Sequence, residues 1–101
     1  MDEYINLFKH MPQGWDSFDA DPPSEIAITL TKEICCKFKS EIKDFPRPFS
    51  DGGIRIDFLS GIHLDIYNDG EIIYANKEQF LEIKDLNTLY EILNKFLNKL
   101  T

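Results

Sequence analysis

Cysteine is nearly absent from this sequence. The only two, Cys35 and Cys36, are neighbours, so they cannot form the long-range bridge that staples small secreted domains. That points to a reducing compartment. Long apolar runs are missing too: none approaches the roughly 20 residues that span a bilayer, and no membrane segment is expected. The opening Met1-Asp2-Glu3 is acidic and lacks the apolar region of a signal peptide, which predicts a cytoplasmic protein. Basic charge is scarce, 11 Lys and Arg against 18 Asp and Glu, for a formal net charge of -7. Affinity for nucleic acid rests mainly on Lys and Arg neutralising phosphates. The lysines here are scattered, so direct nucleic-acid binding is not expected. A basic partner protein, or a protein site that ordinarily holds nucleic acid, is the better electrostatic match.

Chemical signatures are lacking as well. There is no Gly-rich phosphate loop, zinc-finger spacing, Ser/His/Asp arrangement or nucleophile elbow, and no internal repeat, low-complexity tract or dividing linker. The chain of 101 residues, 43% hydrophobic, is expected to form one domain over residues 1–101 around one core. A core of that size leaves little volume for a deep pocket, which lowers the case for a self-contained enzyme.

What is present is periodicity. Tyr4, Ile5, Phe8 and Met11 repeat at helical spacing up to Pro12, predicting a short first helix. A loop over 13–23 follows. Ser24 is a plausible N-cap for a second helix, because Pro23 holds Pro22 extended. Ile26, Leu30, Ile34, Phe38 and Ile42 recur every four residues with Ala27 and Cys35 beside them, predicting one long buried stripe. Phe45-Pro46-Arg47-Pro48-Phe49 breaks that helix and reads as a stiff linker, and Ser50-Asp51-Gly52-Gly53 turns the chain into a β region.

Ile54, Ile56 and Phe58 alternate with Arg55 and Asp57, and Ile62, Leu64 and Ile66 with His63, Asp65 and Tyr67. A two-residue turn at Ser60-Gly61 would pair apolar with polar positions. A three-residue loop, Leu59-Ser60-Gly61, pairs Phe58 with Ile62, Ile56 with Leu64 and Ile54 with Ile66, and frees Gly61 for a left-handed conformation. The same register sets Asp57 opposite His63 and Arg55 opposite Asp65. Asn68-Asp69-Gly70 predicts the next hairpin, Ile72–Ala75 a third strand, and Phe80, Leu81 and Ile83 a short fourth. Asp85 then caps a last helix with Leu86, Leu89, Leu93, Phe96, Leu97 and Leu100 on its apolar face. The expected fold is α+β: two N-terminal helices, a three- to four-stranded antiparallel meander and a C-terminal helix. The helices cover one sheet face, and the other is polar and open.

Gln13-Gly14-Trp15-Asp16-Ser17-Phe18-Asp19-Ala20, then Pro22-Pro23-Ser24, resembles a family of small uncharacterised bacterial and phage proteins. Its members carry an Asn/Gly-Trp-Asp-Gly-Tyr-Gly-Ala loop, proline, a helix, then Asp-Gly-Gly-Ile and a β meander. Asp51-Gly52-Gly53-Ile54 and Asp69-Gly70 look like the later landmarks, while Ser17 and Asp19 stand where the family has glycine. The resemblance implies this order of elements and a bacterial or phage origin, and transfers no catalytic residue.

Two candidate sites emerge. In the acidic loop, Trp15 and Phe18 lie among Asp16, Asp19 and Asp21. Either Trp15 plugs the core while Asp16 holds the turn, or the aromatics form an exposed anchor in an acidic rim. Calcium fits poorly, since the loop lacks the full ligand spacing and distal Glu of an EF-hand. The second candidate is the outer sheet face, with Arg55, Asp57, His63, Asp65 and Tyr67 and with Tyr74 or Ile72 nearby. It reads either as a solvated face of cross-strand pairs or as a recognition surface. An Asp57–His63 acid–base dyad lacks the burial that tunes such groups, and a metal held by Asp57, His63 and Asp65 is a weak signal. His10 near the end of the first helix suits the helix dipole, and Cys35 and Cys36 read as packing.

The expectation is a small acidic protein-interaction module of immunity, antitoxin-like or inhibitor type. It binds a basic protein partner, with no catalytic residues, cofactor or metal. The alternative is a small-ligand or regulatory domain with the Trp15 loop over a shallow pocket, and self-association into a homodimer through a strand edge is a further outcome.

Overall fold

The computed structural model describes residues 2–15 and 21–97. Its centre is a five-stranded antiparallel sheet in chain order: β1 (Arg47–Phe49), β2 (Gly53–Asp57), β3 (His63–Tyr67), β4 (Ile72–Ala75) and β5 (Phe80–Ile83). The first three hairpins share one device. Ser50-Asp51-Gly52, Leu59-Ser60-Gly61 and Asn68-Asp69-Gly70 are three-residue loops whose final glycines have φ of 94°, 89° and 94°. In each, the glycine N–H donates back to the residue before the loop, Phe49, Phe58 or Tyr67, at 3.1, 3.1 and 2.9 Å. This is the type I turn with a left-handed third residue that joins twisted strands.

The register follows from these loops. Ile54 faces Ile66, Ile56 faces Leu64, Arg55 faces Asp65 and Asp57 faces His63, as the alternation predicts. The same count at the next loop pairs Ile66 with Ile72 and Leu64 with Tyr74. Tyr74 and Ile72 therefore both belong to the core face, and neither lies near the outer face, beside which the sequence reading set one or the other. Tyr74 is fully buried, with its hydroxyl accepting from Asn76 Nδ2 at 2.9 Å.

The segment read as a stiff linker is part of the sheet. Arg47 pairs with Arg55, Pro48 with Ile54 and Phe49 with Gly53, and just upstream Ile42 bridges Phe58. Proline lacks an N–H, but an edge strand needs its donors on one side only, so Pro48 is tolerated there.

Helix α1 (Asp2–Asn6) continues as a 3₁₀ turn, Leu7–His10, and buries Ile5 and Phe8. Helix α2 (Glu25–Lys37) begins where expected: Ser24 Oγ accepts from Ala27 N at 3.1 Å. Its buried face differs from the expected stripe. Ala27, Ile28, Thr31, Ile34, Cys35 and Phe38 are buried, whereas Ile26 is 54% exposed. At 3.6 residues per turn each four-residue step rotates by about 40°, so a strict i+4 series from Ile26 to Ile42 winds roughly 160° around the axis. The helix also stops at Lys37, and Ile42 lies beyond a second 3₁₀ turn, Lys39–Glu41.

Asp85 caps helix α3 (Leu86–Leu97), its Oδ1 accepting from Thr88 N at 2.8 Å. Leu89 and Leu93 are fully buried; the expected contributions of Phe96, Leu97 and Leu100 lie outside the described side chains. One core unites these helices with Ile54, Ile56, Phe58, Leu64, Ile66, Tyr74 and Ile83 of the sheet, and each fully buried aliphatic or aromatic side chain contributes about 1.5–3 kcal/mol. Among the described residues, no helix is long and apolar enough to cross a membrane.

Candidate functional site

Because side chains alternate along a strand, the pairing that sends Ile54, Ile56, Leu64 and Ile66 into the core sends Arg55, Asp57, His63, Asp65 and Tyr67 to the opposite face. Ile73 and Ala75 join them there: both are buried, yet neither belongs to the core cluster. One row across the sheet reads Arg47, Arg55, Asp65, Ile73, Glu82, and the next reads Asp57, His63, Ala75, Phe80.

Two ion pairs order this face. Arg55 grips Asp65 in a fork, Nε to Oδ1 at 2.6 Å and Nη2 to Oδ2 at 3.0 Å. Paired N–H donors match a carboxylate, and such charge-assisted bonds are about twice as strong as neutral ones. The hydrogen bond to Asp65 raises the Arg55 guanidinium above its ordinary value. Asp65 is a buried charged residue, and this fork compensates its desolvation. Arg47 Nη2 reaches Asp57 Oδ2 at 3.1 Å. The Asp57 carboxylate thus takes a guanidinium from β1, although the register does set it opposite His63.

Beside the ion pairs, Phe49 and Tyr67 meet edge to face with centroids 5.2 Å apart. They cross over Gly53, where a Cβ would strike the Ile66 carbonyl oxygen and lie 2.7 Å from Phe49 Cζ. A glycine is required at this close approach. Burial first, then the charges of Asp65, Asp51 and Glu71, raises the Tyr67 phenol above its ordinary value, so at neutral pH it is a hydrogen-bond donor. An open cleft of about 290 Å³ lies here, lined by Arg47, Phe49, Asp51, Arg55, Asp65 and Tyr67 among others.

The structure thus brings together Arg55, Asp57, His63, Asp65 and Tyr67. Trp15 stands apart from the cleft. It is half-buried and outside the core cluster, and its indole Nε1 donates to the Asp21 carbonyl at 3.0 Å, closing the loop. Trp15 therefore does not plug the core as one reading of the sequence had it. Its expected companions Asp16, Phe18 and Asp19 lie outside the described residues. Sequence reasoning missed Arg47, Phe49 and Asp51. The available signal was Arg47 and Phe49 alternating with proline, which fits an edge strand as well as a linker.

Among the described residues, no group of three or more His, Cys, Asp or Glu is placed to hold a metal ion. In comparisons with protein-family models, with curated proteins and with solved structures, nothing matches this chain.

Proposed function

We propose that this chain is an acidic protein-interaction module, of immunity, antitoxin-like or inhibitor type, that binds a basic partner protein through the outer sheet face. The observation that carries the reading is the order of that face: Arg47–Asp57 and Arg55–Asp65 pairs beside a Phe49–Tyr67 contact, on paired strands. Immobilising a free side chain on binding costs about 0.5–1.5 kcal/mol, and groups already held lose less. Tyrosine and arginine are the residue types that most often dominate interface energetics. The net charge of -7 would steer a basic partner toward the protein. The bacterial or phage origin implied by the Trp15 loop belongs to the same proposal.

The test is capture from lysate at moderate salt, repeated with Asp57→Lys and Tyr67→Ala. Both residues are half-exposed, unlike Asp65, whose reversal would disturb folding through Arg55. The expected result is one stoichiometric basic protein that both variants lose while their circular dichroism remains that of the folded parent. Full binding by both variants would sink the sheet-face reading.

The cleft favours a second reading, a small-ligand or regulatory domain, with the ligand on the outer face and not under Trp15. Its volume of about 290 Å³ sits at the lower end for ligand sites, roughly 300–1,000 Å³. A saturable thermal shift with one metabolite of a panel, abolished by Arg47→Ala, would favour this reading.

A further inference from the structure

We infer that two copies of this chain associate by joining their β5 strands edge to edge, antiparallel about a two-fold axis through Leu81. The two edges of the sheet are unlike. Strand β1 is three residues long and contains Pro48, both of which blunt an edge. Strand β5 has no proline, and on it Phe80 is 70% and Leu81 37% exposed.

The direction of the β5 backbone follows from its pairing with β4. Asn76 N donates to Gln79 O at 2.9 Å, and the register runs on through Ala75–Phe80, Tyr74–Leu81, Ile73–Glu82 and Ile72–Ile83. Hydrogen-bonded and non-bonded pairs alternate along an antiparallel ladder. Leu81 and Ile83 therefore exchange bonds with β4, while the N–H and C=O groups of Phe80 and Glu82 point to the open edge.

This edge is self-complementary in one register. Faces match only when like positions oppose each other, so the axis must pass through a single residue. Centring on Phe80 runs the second copy's Glu82 off the strand, onto the turn that holds Glu78. Centring on Glu82 sets that residue against itself, and centring on Ile83 runs the strand into Asp85, the α3 cap. Centring on Leu81 opposes residues 79–83 of the two copies throughout, and it brings Glu78, in the turn just before β5, toward the second copy's Lys84, twice by symmetry. Phe80 then exchanges a pair of backbone bonds with the second copy's Glu82, and Glu82 does the same with its Phe80. The two Leu81 side chains meet on the helix-covered side. The two Phe80 rings become diagonal neighbours on the outer face, within reach of aromatic side chains. The exposed apolar groups of β5 are covered, and two outer faces are set side by side on one sheet. The inference is independent of what that face binds.

The test is light scattering with size-exclusion chromatography over a concentration series of the full chain. The expected result is a monomer–dimer equilibrium whose dissociation constant rises at least about tenfold in Phe80→Asp and in Leu81→Lys, with unchanged thermal melts for Phe80→Asp. Register is tested in a Cys36→Ser background, since Cys36 is exposed and Cys35 buried. Leu81→Cys should oxidise to a covalent dimer, because non-bonded opposite pairs lie about 4.5 Å apart at Cα, within disulfide range. Gln79→Cys should not, because the second copy's Ile83 opposes it. A monomer at every concentration, a dimer indifferent to Phe80→Asp, or equal cross-linking by both cysteine variants would each overturn the inference.

Discussion

Asn68 should be a sensitive polar residue outside the core, and Asn68→Ala tests that directly. Its side-chain Oδ1 accepts from Ser24 N at 2.8 Å, and its Nδ2 donates to Pro22 O at 3.1 Å. Its backbone N–H donates to Gly52 O at 2.9 Å, and its carbonyl accepts from Ser24 Oγ at 2.9 Å. One residue thus fastens the start of α2 and the β1–β2 loop to the β3–β4 hairpin, across sequence separations of 44 and 46 residues on the helix side. Alanine removes only the two side-chain bonds. At about 0.5–1.5 kcal/mol net for each, the expected loss is about 1–3 kcal/mol. For a domain of this size that lowers the melting temperature by roughly 4–8 °C per kcal/mol.

The assay is urea unfolding followed by circular dichroism and by Trp15 fluorescence. Trp15 Nε1 is bonded to Asp21 O, next in sequence to Pro22, so the indole should respond when Pro22 is released. Asn68→Asp separates the two bonds: it keeps an acceptor for Ser24 N but faces Pro22 O with a carboxylate. Its loss should therefore exceed that of alanine at neutral pH and shrink on acidification. A double-mutant cycle with Ser24→Ala should show coupling of at least about 0.5 kcal/mol. An Asn68→Ala midpoint equal to that of the parent, with coincident fluorescence, would refute the claim that this knot joins helix to hairpin.

Gly53→Ala should lose about 1–3 kcal/mol by overpacking, since the added methyl meets the Ile66 carbonyl and Phe49; near-ultraviolet dichroism should show the Phe49–Tyr67 contact displaced. Thr31 is fully buried and its Oγ1 has no hydrogen-bond partner among the described residues. Thr31→Val should therefore stabilise by about 1 kcal/mol, read as a higher urea midpoint at unchanged slope. Partial desolvation, then the charges of Glu82 and Asp69, raises the Glu71 carboxyl above its ordinary 4.5. A raised folded value means this contribution is fully present below the unfolded value and lost as pH rises through the folded one. Hydrogen bonds from Thr88 lower the Asp85 carboxyl, with the opposite sign: its contribution is present above the unfolded value and lost as pH falls through the folded one. Stability curves of Glu71→Gln and Asp85→Asn against pH should each flatten in the corresponding window.

The readable parts of the fold were those set by short-range geometry. Gly61 after Leu59-Ser60 decided a loop length, and loop length with alternation decided every pairing from Ile54–Ile66 to Asp57–His63. The side of the sheet taken by Tyr74 was equally decidable, because Asn68-Asp69-Gly70 is a loop of the same kind. Ile72-Ile73-Tyr74-Ala75 is apolar throughout, so alternation is silent there and only the loop count separates its faces. Strand β1 was illegible for another reason. Pro46 and Pro48 break local structure wherever they occur, and what makes Arg47–Phe49 a strand is an edge offered by residues further along the chain. The α2 stripe failed by arithmetic, since a repeat of four drifts off a 3.6-residue turn.

The missed Arg47 changes how the outer face works. It lies directly across from Arg55, and like charges so placed repel unless each has its own acid. Asp57 serves Arg47 and Asp65 serves Arg55, so the two arginines and two aspartates cancel. The net charge of -7 is therefore carried entirely outside this cluster. On the proposed reading, long-range attraction of a basic partner comes from the surrounding acidic surface, Asp51 of the cleft included, while contact is made on the internally neutral ion-paired patch beside Tyr67. Exposed charges more than about 8–10 Å apart are screened at physiological ionic strength. Added salt should accordingly slow association several-fold and leave dissociation nearly unchanged. Tyr67→Ala should do the reverse, speeding dissociation at any salt concentration. Stopped-flow or biosensor kinetics at two ionic strengths separates these effects, and a salt dependence carried mainly by the off-rate would place the acidic groups inside the contact and reject the neutral-patch arrangement.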